Sequence, residues 1–313
     1  MFFLNKIFSY RYAPILSVSP SEMSAIEQLP EKDKDLILPI FPLKGWVGSN
    51  KLENTLKRIK QAIGDRYWIA NVDEAFLTDN KEFLLTGKYP SRDVFIEIQQ
   101  LLNPDNGFDN WCRFIEDIPK AIPSILWGGT AEISRQIEKL SLLNRGIFIH
   151  ISPKTNQAQI QEAFRYISER QINDIFVLVD LGQVTSSVVN DVQRISNYLM
   201  SIHKIVKAGL FAFSGASFPS GFSGYNHGEN SIYERIAFNK VREVCAELPL
   251  IYSDRGSARA DKINGGGGIP SPRIDYPLKN DWRFIREEYQ DSSNPLDGEK
   301  ETLYAKIAKE LMG

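Results

Sequence analysis

Apolar and polar positions along the chain follow two alternating periods. Short apolar runs, rich in β-branched and aromatic residues, occupy positions 12–18, 36–42, 67–72, 122–127, 146–151, 174–181, 208–214 and 248–253. Most are continuously apolar, the pattern of strands covered on both faces. Between them, apolar side chains recur at helical spacing and line one face. Leu52, Leu56, Ile59 and Ile63 follow Ser49, a residue suited to capping a helix. Thr130 opens a second stretch with Ile133, Ile137 and Leu140, and Ile160, Phe164 and Ile167 mark a third. Val188, Val192, Ile195, Leu199 and Ile202 give the clearest helix; Ile232, Ile236 and Val244 give another, and Leu303, Ile307 and Leu311 a terminal one.

Eight β-led units predict an α/β fold, a (β/α)8 TIM-like barrel. The rival, an open doubly wound sheet, normally stops at fewer strands. The third and fourth runs are spaced farther apart than the others, which leaves room for two extra helices, at 92–102 and 108–118. The expectation is a single barrel domain over 1–313, with a helical insertion at 77–120 and a loop-and-hairpin insertion at 255–290 over the barrel mouth. Arg273-Ile274-Asp275-Tyr276-Pro277 and Trp282-Arg283-Phe284-Ile285-Arg286, flanking a Lys-Asn-Asp turn, are the arms of that irregular hairpin.

Composition narrows the classes. With 37 basic and 39 acidic side chains the net charge is −2, which argues against coating nucleic acid by charge alone. Cys112 and Cys245 share no metal or redox spacing, as expected of a reduced compartment. No apolar run approaches the ~18 residues of a membrane span. The apolar start, residues 1–8, is interrupted by Lys6, followed by Arg11, and has no small-residue cleavage site; a cytoplasmic location without membrane contact is expected.

In a barrel the chemistry sits at the C-terminal strand ends and the loops that follow. Those positions hold Lys44 after the second run, Asp73 and Glu74 after the third, Trp127 at the fourth, His150 at the fifth and Asp180 at the sixth. Ser214 and Ser217 end the seventh, and Asp254, Arg255 and Arg259 the eighth. Asp180, Asp254, His150 and Lys44 are the candidate catalytic groups. Ser214, Ser217, Arg255, Arg259 and Arg273 are the candidate anion-binding groups, because hydroxyls, arginine forks and glycine-rich backbone all donate to phosphate. The loop from Ser214 to Gly228 and the four glycines 265–268 add to that donor chemistry, although glycine and serine also simply make long loops. Asp73 and Glu74 are candidate metal ligands whose hard oxygens would suit Mg²⁺. At any one of these positions a plainer role competes, capping the next helix or pairing with a neighbour. His203 follows a helix face and His227 lies in a Gly/Ser/Asn loop. The chain has no Gly-x-x-x-x-Gly-Lys-Ser/Thr loop, no His-Glu-x-x-His and no Gly-x-Ser-x-Gly elbow.

Several phrases resemble the phage-associated beta protein family. They are Tyr12-Ala13-Pro14-Ile15-Leu16, Ile37-Leu38-Pro39-Ile40-Phe41, Val179-Asp180-Leu181-Gly182, Ser217-Phe218-Pro219, Glu234-Arg235 and Tyr252-Ser253-Asp254, with Arg273-Ile274-Asp275-Tyr276, Trp282 and Arg286 later. The resemblance implies a phage, satellite-element or genomic-island protein found beside antiviral defence genes, and it transfers no catalytic residue. Three functions follow as expectations. The first is an enzyme or effector acting at the mouth on a phosphorylated small molecule, nucleotide or phosphodiester, such as a hydrolase. The second is a non-catalytic defence or toxin-control protein that binds the protein product of a neighbouring gene. The third is a nucleic-acid binder.

Overall fold

The structure, a computed structural model, describes residues 9–206, 209–219, 225–260 and 269–312. The expectations for residues 1–8, Ala208, 220–224 and the glycines 265–268 lie outside the described residues. The fold is α/β. Six apolar runs form strands: β1 (Ile40–Leu43), β2 (Trp68–Val72), β3 (Ala121–Pro123), β4 (Ile147–Ile151), β5 (Ile175–Gln183) and β6 (Leu210–Ala216). β1, β2 and β3 pair in parallel as one sheet, and β4, β5 and β6 as a second.

The first and eighth runs contribute isolated parallel bridges. Tyr12 pairs with both Ile37 and Tyr252, Ile15 with Ile40, and Leu250 with Phe211. Ser124, just past β3, bridges Phe148 of β4. Pro14 and Pro249 each remove a backbone donor from these outer runs, which shortens their ladders.

Strand parity sorts the apolar side chains into two layers. Ile15, Ile40, Ile69, Ile122, Phe148, Leu178 and Ala212 pack into one buried cluster, with Ile251 against it, so that every run contributes. Neighbours of the opposite parity, such as Phe41, Ala70, Ile149 and Val177, join a larger core beneath the helices. Ile59, Ile137, Phe164, Leu199 and Val241 enter that core from helices Leu52–Ile63, Thr130–Ser141, Gln157–Glu169, Val192–Ile205 and Tyr233–Val244. Each such side chain contributes roughly 1.5–3 kcal/mol by leaving water.

The helices depart from the periodicity in instructive places. Ser49 does not cap Leu52–Ile63; the Leu52 N–H donates instead to Glu97 Oε2 (2.6 Å), across from helix Asp93–Leu101. The stretch from Val188 splits into a 3₁₀ turn, Ser186–Val189, and a helix beginning at Val192. Four helices lie between β2 and β3 rather than two, because the short Ala75–Thr78 and Lys81–Thr86 precede Asp93–Leu101 and Asp105–Glu116. The last of these is kinked where Asn106, Gly107 and Phe108 take positive φ.

The hairpin forms as β8 (Arg273–Pro277) and β9 (Asp281–Arg286) and gains a third antiparallel strand, β7 (His227–Ser231), on the far side of β9. His227 therefore stands on a strand rather than in a loop. Trp282 and Phe284 of β9 pack with Phe218 and Ile232, and helix Glu299–Met312 packs on β8. Among the described residues no helix is long and apolar enough to cross a membrane.

Candidate functional site

One step along the inner parity, toward the C-terminal ends, the chemistry changes from apolar to polar. Ile15 gives way to Ser17, Ile69 to Asn71, Ile122 to Ser124, Phe148 to His150, Leu178 to Asp180, Ala212 to Ser214 and Ile251 to Ser253. A buried polar layer of this kind is stable only when its members satisfy one another.

Most of them do. Ser124 Oγ donates to Asn71 Oδ1 (2.8 Å), which also accepts the Val72 N–H (2.9 Å). Those two donors fix the amide, so Asn71 Nδ2 points at His150 Nδ1 (3.3 Å). Nδ1 must then accept, which leaves the proton on Nε2, where it is donated to Asp180 Oδ2 (3.0 Å). The hydrogen-bond chain thus selects one tautomer of His150. Its backbone carbonyl accepts Trp127 Nε1–H (2.8 Å), which fixes the indole plane.

Asp180 is 5% exposed and is the hub of the layer. Arg255 grips it with both terminal nitrogens, Nη1 to Oδ1 at 2.9 Å and Nη2 to Oδ2. The Gly182 N–H adds a further donor to Oδ1 (2.9 Å), made reachable by the positive φ of Gly182 at the irregularity in β5. Burial alone would raise this carboxyl, but the hydrogen bonds from His150 and Arg255 and the charge of Arg255 outweigh it and hold the group well below the usual carboxylate range. A carboxylate engaged by so many donors positions its partners and is a poor proton acceptor.

Over this layer opens a cavity of about 740 Å³, within the range of small-molecule sites. Its wall carries Lys44, Lys154, Arg255 and Arg259 as cations, Asp73, Glu74 and Asp79 as carboxylates, and Trp127 and His150 as rings. Lys44 donates to Ser17 Oγ and lies 3.9 Å from Asp73. Partial burial, then the charge of Asp73, push the Glu74 carboxyl upward against the opposing effects of His150 and Lys154. Arg259 Nε donates to the Pro219 carbonyl (3.0 Å), and Gln183 holds both the Phe218 carbonyl and the Ala260 N–H, so β5 ties the loops after the seventh and eighth runs together.

The structure therefore brings Lys44, His150, Arg255 and Arg259 to one cavity, with Asp180 directly behind. Asp254 is elsewhere. It is 1% exposed and accepts from the Tyr12 hydroxyl, the Tyr252 hydroxyl (2.6 Å) and the Gly256 N–H (2.9 Å), joining the first run to the eighth. Burial and the Asp254 charge push both tyrosines upward. Ser217 caps the helix at Tyr233, its Oγ accepting that N–H (3.1 Å) while its own N–H donates to buried Glu234. Ser214 is fully buried in the layer, and its Oγ has no hydrogen-bond partner among the described residues. Arg273 stands on β8 beside Asp275 and over the Phe218 ring, away from this cavity. Asp73 and Glu74 are adjacent, but no group of three His, Cys, Asp or Glu converges as a cation site would need among the described residues.

Sequence reasoning missed Asn71, Asp79 and Lys154. Asn71 had a signal, a lone polar residue at inner parity in an apolar run. Asp79 and Lys154 had none, since both reach the cavity only through the path of their loops.

The chain belongs to the Beta protein family, whose model matches residues 12–313. It is 23% identical over 300 residues to Protein beta of Enterobacteria phage P4, covering 94% of this chain and 80% of that protein. Among solved structures it has a TM-score of 0.42 and 10% identity to the arginine decarboxylase of Paramecium bursaria Chlorella virus, determined with agmatine bound. That likeness covers 81% of this chain and spans 60% of the decarboxylase, and carries neither its fold nor its reaction over.

Proposed function

We propose that this member of the Beta protein family is a single-domain (β/α)8 barrel whose C-terminal mouth binds a phosphorylated small molecule, nucleotide or phosphodiester. The order of parallel pairing supports the barrel. It runs from the first run to the second, through β1, β2 and β3, across Ser124–Phe148 to β4, β5 and β6, across Phe211–Leu250, and from Tyr252 back to Tyr12. The apolar cluster fed by every run is what a filled barrel interior requires.

The observation that carries the ligand reading is Arg255, held as a fork on a buried carboxylate at the wall of a cavity that Lys44, Lys154 and Arg259 also line. A guanidinium anchored from behind keeps its outer edge oriented, and planar forks match phosphate oxygens. In this reading Arg255, Arg259 and Lys44 hold the anion. Asp180 and the tautomer-fixed His150 position them, and Asp254 closes the ring.

Calorimetric titration with inorganic phosphate, pyrophosphate and nucleotides tests it. Arg259→Ala and Lys44→Ala, which leave the buried carboxylate paired, are expected to weaken binding about tenfold each, the worth of one charge-assisted hydrogen bond. Affinity should also fall as salt rises. A chain that binds none of these anions at low salt would remove the proposal.

A further inference from the structure

The charges around the cavity balance. Lys44, Lys154, Arg255 and Arg259 supply four positive charges; Asp73, Glu74 and Asp79 supply three negative ones, and Asp180 behind Arg255 supplies the fourth. A site for a polyanion would carry a surplus of cations. This one suits a ligand with a single anionic end and an opposite end rich in hydrogen-bond donors.

Lys44, 3.9 Å from Asp73, and Lys154, whose charge acts on Glu74, stand among the carboxylates, but the two arginines occupy a different stretch of wall. Arg255 and Arg259 follow the eighth run, whereas Asp73, Glu74 and Asp79 follow the third, and the first and second runs stand between them in the order of pairing. Next to the carboxylates, after the fourth run, Trp127 lines the cavity with its ring plane fixed by the bond to the His150 carbonyl. An aromatic face beside carboxylates is the chemistry that receives a heterocycle bearing an amino group: the ring stacks, and the carboxylates accept from its N–H bonds.

We propose that the cavity takes a nucleoside monophosphate whose base carries an exocyclic amine, with its phosphate at Arg255 and Arg259 and its base on Trp127 against the carboxylates after the third run. This rests on the anion-binding reading above and narrows it. Titration of the full chain with GMP, AMP, CMP, IMP and UMP, alongside inorganic phosphate and GTP, separates the two. The expected result is that the three amino-bearing monophosphates bind about tenfold or more tighter than IMP and UMP, the worth of hydrogen bonds to a charged acceptor. GTP should bind no tighter than GMP. Glu74→Gln and Asp79→Asn, checked for retained folding by circular dichroism, should collapse the GMP-to-IMP ratio toward one. Equal affinity for all five monophosphates, or tighter binding of GTP, would overturn this inference while leaving the anion site standing. Failure of every compound to bind, phosphate included, would take down both.

Discussion

At the residue scale the decisive group is Asp180. Its carboxylate is buried, and its partners Arg255 and His150 are themselves largely buried, at 16% and 23% side-chain exposure. Removing the negative charge leaves a guanidinium in low dielectric with no counter-ion, so Asp180→Asn is expected to cost about 3–5 kcal/mol of folding free energy at neutral pH. Because the folded carboxyl lies well below its ordinary value, its contribution is fully present above the unfolded pKa of about 4 and is lost as pH falls further toward the folded value. Urea unfolding of wild type and variant should therefore show a gap that is constant from pH 5 to 7 and narrows below about pH 4. A gap that stays open under acid would mean that the pair contributes nothing. Asp180 was legible in the sequence as a charge ending an apolar run, and so was the need for a compensating cation. That the cation is Arg255 was not, since β6 stands between β5 and the eighth run and the two side chains meet only past the strand ends. Asp254 carried the same sequence signal with a different outcome, because tyrosines from two other positions happen to reach it.

At the element scale, local rules hold until a partner from elsewhere supplies a better bond. Ser49 had the chemistry of a cap, yet a carboxylate from helix Asp93–Leu101 takes the Leu52 N–H, and no local pattern reveals that contact. The kinked helix Asp105–Glu116 makes the same point. Its periodicity predicted a start at Phe108, and the turn before it exists because Gly107 lies against helix Thr130–Ser141. A Cβ at Gly107 would meet the Gln136 backbone nitrogen at 2.8 Å, at a φ of +72° that L side chains avoid. The Gly107 N–H also donates to Glu132 Oε2. Gly107→Ala should accordingly cost about 2 kcal/mol or more, combining left-handed strain with a backbone clash. Gly48→Ala, at a φ of +74° with nothing within 4 Å, should cost only the conformational part, about 1 kcal/mol. Thermal denaturation of the two variants side by side separates the clash from the strain; equal losses would mean that the helix contact yields freely.

At the scale of the whole molecule, the eight runs were legible because strands covered on both faces are apolar throughout, and that signal needs no knowledge of neighbours. The third strand of the antiparallel sheet was not, because β7 reads His227-Gly228-Glu229-Asn230-Ser231, polar throughout, and becomes a strand only by pairing with β9. What holds the two ends of the parallel arrangement together is equally non-local. Tyr12 stacks on Tyr252 at 5.6 Å, its hydroxyl reaches Asp254, and the Ala13 and Ile15 amides donate to the carbonyls of Tyr252 and Asp254 at 2.9 Å. On its other side the same run accepts and donates along the second, with Leu38 and Ile40 amides bound to the Tyr12 and Pro14 carbonyls. A run hydrogen-bonded on both edges and feeding Ala13 and Ile15 into the inner cluster cannot leave without exposing two strand edges and the plug between them. Removing residues 1–18 should therefore abolish cooperative unfolding altogether, rather than lower its midpoint. Tyr12→Phe, which removes one donor from a buried carboxylate and keeps the stacking, should cost about 1–3 kcal/mol and preserve a single transition. Urea titration followed by tryptophan fluorescence and circular dichroism distinguishes these outcomes. A truncated chain that still unfolds in one sharp step would show that the parallel sheets stand without the first run, and the proposal of a closed barrel would fall with it.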